Sequence, residues 1–342
     1  MITERRLRCI EEATALFLEC GLTIPHNVTY SMGLFYGNQI IATGSLSGDM
    51  IQGLAVSPRY QGEDLSAKVL THLMNYAVIH GITALYLFTK PTNTDKFVSM
   101  GFNIVAIAKP YTALLEWGAP GIKDYIQKLA SITDDDPGES SAIVMNCNPF
   151  TLGHLSLIET AAARDRKVYV LVVEEDLSAF PFQARFEMIK KGTAHLSNVV
   201  VIPGNRYIVS SMTFPSYFTR DRDLAAAHCA IDVEIFLEHI APALGVTKRY
   251  VGTEPFSPVT AIYNQTMKER LTPGGIQVIE VERITYGDQV ISASYVRRLL
   301  AANKLDEIRK LVPDVTFEYL LSDAAVPVIR SIIGGVGYCE DA

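Results

Sequence analysis

Ala142-Ile-Val-Met-Asn-Cys-Asn-Pro-Phe-Thr-Leu-Gly-His154 is the stretch on which the reading of this chain turns. Its first four residues are an apolar run of strand type, and Leu155, Ile158 and Ala162 then recur at helical spacing. A strand that turns tightly into a helix, with Gly153 and His154 at the turn, has the layout of an anion site. The glycine lets backbone approach a ligand, while the helix start offers unpaired N–H groups and the positive end of its dipole. His154 adds a side-chain donor able to stabilise charge developing at a phosphorus centre.

A second stretch near the end of the chain repeats the logic. In Ile291-Ser-Ala-Ser-Tyr-Val-Arg297, Ser292 is a good helix N-cap and Val296, Leu299 and Leu300 begin an apolar face. Ser294 and Arg297 stand three apart and share one face of the first turn. Two hydroxyls, a helix start and an arginine fork make a second anion site, suited to β- and γ-phosphates. Thr151-x-Gly-His154 resembles the T/H-x-G-H signature of the adenylyl-transferring nucleotidyltransferases, and the second stretch resembles their I-S-S/T-x-x-R motif. The two occur in the order that superfamily requires.

The surrounding pattern agrees. Strands at Ala142–Asn146, Val168–Val173, Val199–Ile202, Arg249–Gly252 and Ile276–Arg283 alternate with helices ending near Arg164, over Gln183–Gly192 and over Ala225–Ile240. Such alternation predicts an α/β fold, a Rossmann-like parallel sheet with helices on both faces. Its ligand belongs beyond the carboxyl ends of the strands, where His154 and the segment after Gly252 meet.

Thr133-Asp-Asp-Asp-Pro-Gly-Glu-Ser-Ser141 reads as a linker, because three acids and Pro-Gly neither pack nor continue a helix. The expected division is therefore 1–115, a connecting helix and linker over 116–140, and 141–342. In the first part Thr29–Leu46 reads as a hairpin turning at Tyr36-Gly-Asn-Gln39, followed by a strand Met50–Val56 and a helix Leu65–His80. A strand Ala84–Thr89, a helix from Lys96 and a final strand complete an α+β unit. This part resembles the GNAT acetyltransferase fold, through Leu54-Ala-Val-Ser-Pro-Arg-Tyr-Gln-Gly62 and Phe97-Val-Ser-Met-Gly-Phe102. The resemblance implies a loop of backbone N–H groups cradling the coenzyme A pyrophosphate. Arg59 and Gly62 fit that loop's spacing, but Asp64 puts a carboxylate where a small residue belongs. A degenerate domain serving docking or stability is the expectation.

The chain has 342 residues, 49% hydrophobic and 20% charged, with a formal net charge of −7. This balance speaks against a nucleic-acid partner. No apolar run reaches membrane-spanning length. Residues 1–20 mix arginines with Glu4, Glu11, Glu12 and Glu19, which suits an amphipathic helix better than a signal peptide. The five scattered cysteines form no C-x-x-C pair, as expected of reduced thiols in a cytoplasmic protein. The histidines other than His154 have no metal-ligand spacing, so no protein metal site is expected.

The wording around the motifs narrows the resemblance. The opening stretch, Lys190-Lys-Gly-Thr193 and Thr213-Phe-Pro-Ser-Tyr-Phe218 are similar to the citrate lyase ligase family. The resemblance implies ATP-dependent acetylation, through acetyl-AMP, of the thiol on the citrate lyase acyl carrier subunit. That thiol ends a phosphoribosyl-dephospho-coenzyme A group; acetate is the acid, and Mg²⁺ is expected with ATP. Catalysis then falls to His154, Thr151 and Arg297. ATP binding falls to Asn148, Pro149, Phe150, Gly153, Gly252, Thr253, Glu254, Ser292 and Ser294. For Glu254 a structural cap is the plain alternative. Arg185, Arg206, Tyr207 and Ser216 are candidates for the acyl or thiol side, against the plainer readings of surface charge and a long packed connection. Two other functions use the same motifs: adenylyl transfer to a phosphorylated acceptor in coenzyme biosynthesis, and a non-catalytic sensor of acyl-CoA and nucleotide.

Overall fold

The computed structural model describes residues 1–133, 139–174, 178–208, 221–253 and 258–335. The chain divides into two compact units. One holds Met1–Tyr125 and residues as far as Ile231 of a later helix, and the other holds the remainder.

The first unit opens with β1 (Ile2–Arg6) and a short helix α1 (Thr14–Glu19), where the sequence suggested helix throughout. Strands β2 (Tyr30–Tyr36) and β3 (Gln39–Ser47) form the expected hairpin, with Tyr36 opposite Gln39 and Gly37 at φ 59° in the turn. Then come β4 (Met50–Val56), α2 (Leu65–Ile79), β5 (Ala84–Thr89), α3 (Thr94–Val98), β6 (Asn103–Ala108) and β7 (Thr112–Gly118). The strand order is β1-β2-β3-β4-β5-β7-β6, so two strands follow α3 rather than one. Helix α2 buries Val69, Leu73 and Ala77 on the sheet against Met32, Leu34 and Ile41. Burying a valine or leucine side chain such as Val69 or Leu73 contributes roughly 1.5–3 kcal/mol, and the Ala77 methyl less.

Only β4 and β5 pair in parallel within that sheet, and only at Met50–Tyr86 and Ile51–Leu87. Beyond those pairs the unit contains a cavity of about 690 Å³ lined by Leu54, Val56, Gly62, Asp64, Thr89 and Lys90, among others. Asp64 precedes α2 with its backbone left-handed at φ 52° and its side chain exposed.

After α4 (Ile122–Ala130), the second unit carries β8 (Ser140–Met145), α5 (Leu152–Ala162), β9 (Lys167–Val172), α6 (Phe182–Gly192) and β10 (Val199–Pro203). After α7 (Asp221–Ile235), whose residues as far as Ile231 belong to the first unit, it continues with a π turn Phe236–Ile240, α8 (Ala241–Leu244), β11 (Val246–Gly252), α9 (Pro258–Leu271) and β12 (Gln277–Val281). A small hairpin, β13 (Thr285–Tyr286) with β14 (Gln289–Val290), leads to α10 (Ala293–Ala301). The last helices are α11 (Leu305–Ile308), α12 (Asp314–Leu320) and α13 (Val326–Ile333).

All four pairings in this unit's main sheet are parallel, in the order β10-β9-β8-β11-β12. The chain goes outward from β8 in one direction, then returns to β11 on its other flank. The switch point lies between β8 and β11, where such sheets bind ligands. Successive residues of β11 point to opposite faces. Tyr250 joins the core with Ile158, Met188 and Val296, while Arg249 faces Phe236 with its charge met by Asp232 at 3.3 Å. Both partners of that pair are buried. Among the described residues no helix is long and apolar enough to cross a membrane.

Candidate active site

The turn after β8 is built from strained and buried backbone. Cys147 sits at φ 54°, a left-handed conformation that non-glycine residues rarely adopt. Asn148 is buried, its side-chain oxygen accepting from the Phe180 N–H at 3.0 Å and its carbonyl accepting from Arg297 Nη1. Phe150 is wholly buried and stacks beneath the His154 ring, with centroids 6.1 Å apart.

Helix α5 then starts with a reciprocal cap. Thr151 Oγ1 accepts from the His154 N–H at 3.4 Å, and the Thr151 N–H donates to His154 Nδ1 at 3.0 Å. An amide can only donate, so Nδ1 must carry the lone pair and the neutral ring's proton must sit on Nε2. Protonating Nδ1 would set two donors against each other. Burial, with the nearby Arg283 guanidinium, pushes the His154 pKa down to about 4. At neutral pH His154 is therefore an uncharged donor through Nε2.

The other amides of this first turn are unequally committed. Leu152 N–H donates to the Leu311 carbonyl at 2.9 Å, whereas the Gly153 N–H has no partner among the described residues. A side chain on Gly153 would be obstructed, since its Cβ would lie 2.8 Å from the Ile291 carbonyl oxygen. Thus the second motif is packed directly against the first.

At that second motif Ser292 caps α10, its Oγ accepting from the Tyr295 N–H at 3.2 Å and lying 3.2 Å from Ser294 Oγ. Both serines keep part of their surface to solvent. Two helix starts, two hydroxyls and a neutral imidazole donor thus converge at the carboxyl edge of the sheet, next to the end of β11. There the Thr253 carbonyl accepts from Arg283 Nε at 2.7 Å, and the Gly252 carbonyl accepts from Asn264 Nδ2 at 3.2 Å. Among the described residues no group of three or more His, Cys, Asp or Glu side chains could hold a metal ion.

Comparison with known proteins decides the family. The citrate lyase ligase C-terminal domain model matches residues 140–320, and the GNAT acetyltransferase family model matches residues 5–102. The [citrate [pro-3S]-lyase] ligase of Escherichia coli (strain K12) is 39% identical over 310 residues, covering 88% of this chain and 87% of that one. The chain belongs to the citrate lyase ligase family. The Klebsiella pneumoniae member is 38% identical, covering 84% of this chain and 85% of its own. A phosphopantetheine adenylyltransferase of Corynebacterium efficiens is 29% identical over 33% of this chain and 69% of its own length. As a citrate lyase ligase the chain is an enzyme, an α/β protein with an N-terminal GNAT fold.

In this ligase the structure gathers Asn148, Phe150, Thr151, Gly153, His154, Ser292 and Ser294 at one edge, with Gly252 and Thr253 adjoining. Two arginines differ from what the sequence suggested. Arg185, expected toward the acyl or thiol side, has no solvent exposure. Its Nε donates to the Phe180 carbonyl at 3.0 Å, and its Nη1 to Asn146 O, Asn146 Oδ1 and Val173 O at 2.7–2.8 Å. It clasps the ends of β8 and β9 from within. Arg297, expected as an open phosphate fork, is buried and ties α10 to the Asn148 carbonyl.

Arg206 is exposed and Tyr207 buried in the short turn after β10, the former with its N–H on Asn205 Oδ1. Ser216 and Glu254 lie outside the described residues. Arg283 and Asn146 were missed. Nothing in a lone Arg283 after a strand distinguishes it from a surface charge, and Asn146 acts through a tertiary partner 39 residues away.

Proposed function

We propose that this ligase acetylates the carrier-subunit thiol of citrate lyase in two steps: ATP and acetate give acetyl-AMP and pyrophosphate, then thiol attack gives the thioester and AMP. The observation that carries this reading is the packing of the α5 and α10 starts against each other through Gly153 and Ile291. It brings together donors for the α-phosphate and for the departing pyrophosphate.

Acetate alone is a poor acyl donor, because oxide would have to leave; adenylation gives it a stabilised phosphate as leaving group. In the first step an acetate oxygen bonds to the α-phosphorus and the bond to pyrophosphate breaks. His154 Nε2–H and the Gly153 N–H are the donors for the equatorial oxygens, with Thr151 fixing the imidazole. Ser292 and Ser294 receive the leaving group at the α10 start. Positioning and electrostatics suffice, and no protein nucleophile is needed. Mg²⁺ enters as part of the substrate MgATP, consistent with the phosphates rather than a side-chain cage supplying its ligands.

In the second step the thiol of the phosphoribosyl-dephospho-coenzyme A arm attacks the acetyl carbonyl. The GNAT-like unit receives the carrier or that arm, since the arm still resembles coenzyme A. The described cysteines are not in disulfides, in keeping with a cytoplasmic setting.

Pyrophosphate release should depend on acetate and not on phosphorylated acceptors such as pantetheine phosphate. Acetyl transfer should then require purified citrate lyase. Pyrophosphate release with a phosphorylated acceptor and none with acetate would replace this reading with coenzyme biosynthesis.

A further inference from the structure

Three arginines surround the carboxyl edge of the second sheet, and their surroundings differ. Arg185 is fully buried on backbone carbonyls, and Arg297 is buried on the Asn148 carbonyl. Arg283 alone of these three keeps appreciable surface to solvent. It follows the end of β12, and its side chain lies across Gly252, with Nε 3.5 Å from where a Cβ on that glycine would stand. The Thr253 carbonyl accepts from the same Nε at 2.7 Å, which fixes the guanidinium plane.

The neighbouring residue carries the link onward: Ile284 O accepts from Ile291 N–H at 3.1 Å, and Ile291 O faces Gly153. Arg283 is therefore tied to the end of β11 on one side and, through one residue, to the junction of both motifs on the other.

We propose that Arg283 contacts the α-phosphate of bound ATP and supplies the fixed positive charge that the neutral His154 lacks. The inference rests on the adenylation reading above. Charge on a transferring phosphoryl group spreads over its equatorial oxygens, and a preorganised guanidinium offers both charge and paired donors. His154 and Arg283 thereby divide the work: one donates without charge, the other holds charge without transferring a proton. Arg283 stays protonated throughout, and the bonds made and broken are those of acetate attack and pyrophosphate departure. The proximity of the two is also felt electrostatically, since the guanidinium adds to burial, the larger cause, in keeping the imidazole neutral. The plain alternative is an arginine that only braces Thr253.

Two substitutions in the full-length protein separate these roles. Arg283→Gln keeps a donor for the Thr253 carbonyl and removes the charge, while Arg283→Lys keeps the charge. Each is assayed for acetate-dependent pyrophosphate release, ATP affinity by calorimetry, thermal unfolding, and the His154 titration by NMR. The Gln variant should lose about a hundredfold in kcat/KM at unchanged unfolding temperature. It should also bind ATP more weakly, and its His154 midpoint should rise. The Lys variant should retain most of the activity and a His154 midpoint near that of the wild type. Wild-type turnover and ATP affinity in the Gln variant would overturn the proposal, as would equal losses in both variants with a lowered unfolding temperature. If the wild type itself releases no pyrophosphate with acetate, the adenylation reading fails separately. ATP affinity unchanged in the Gln variant would then overturn the contact, and weakened affinity with a raised His154 midpoint would uphold it.

Discussion

The Ile291 carbonyl oxygen lies so close to Gly153 that a methyl group there would stand 2.8 Å from it. Gly153 is thus where two segments about 140 residues apart in sequence fit together. Gly153→Ala must push the α5 and α10 starts apart or bend the chain before Ser292. Overpacking of this kind costs typically 1–3 kcal/mol. The expected result is a lowered unfolding temperature with a much larger fractional loss of acetate-dependent pyrophosphate release, because donor spacing changes at the reacting centre. A variant with normal turnover would show that the contact is packing alone.

His154→Ala should lower turnover about a hundredfold or more, while ATP affinity by calorimetry stays near the wild-type value. A donor aimed at developing charge strengthens in the transition state more than in the bound ground state. Near-normal pyrophosphate release would remove His154 from the reaction.

The same residue gives a pH prediction. Burial and the Arg283 charge hold its pKa down at about 4, below the 6.5 of a free imidazole. The unfolded chain therefore binds this proton more readily between those values, and the folded state loses stability as pH falls from about 6.5 towards 4. Below that window both states are protonated and this contribution is spent. The loss amounts to about 2–3 kcal/mol at most, since the ring retains some solvent contact. Denaturant unfolding of wild type and His154→Gln across this range should show a steeper decline in the wild type. Turnover should stay free of any inflection from His154 between pH 6 and 8.

How much of this was legible follows from which residues act locally. Thr151, His154 and Ser292 do their capping within four residues of themselves, so the sequence pattern placed them at helix starts. The central strands β8 and β9 were visible as apolar runs because both faces of the parallel sheet are covered there. Arg185 and Arg297 looked like ligands because a guanidinium suits phosphate as well as it suits a cluster of carbonyls. Only the tertiary fold decides which it meets. Strand β1 was hidden for a different reason. It is an edge strand paired to β2, with only Ile2 partly covered, so its side chains carry no alternation to read. Helix α9 likewise exposes Ile262 and lacks a clear apolar stripe.

Arg185→Met should be far more damaging to folding than any surface substitution. It would leave the carbonyls of Asn146, Val173 and Phe180 without the donor they share. Buried acceptors without partners cost about 1–3 kcal/mol each. Thermal unfolding should drop steeply, and whatever folded fraction remains should bind ATP with near-normal affinity. Weak ATP binding by well-folded Arg185→Met would return this residue to the ligand.

The last prediction concerns the cavity of the first unit. Asp64 lines it, exposed, with its backbone in the left-handed conformation that glycine adopts without penalty. In the GNAT fold this neighbourhood faces a pyrophosphate, and a carboxylate there repels it. Asp64→Gly removes the charge and relieves the backbone together. Coenzyme A should then bind more tightly, by roughly three- to tenfold, as one like-charge contact near a wet surface is worth about 1 kcal/mol. Calorimetry with coenzyme A on both forms measures it. On the receptor role proposed above, neither form should acetylate amines from acetyl-CoA. Equal affinities would show that Asp64 does not weaken this cleft. Amine acetylation by the wild type would show a working acetyltransferase in spite of it.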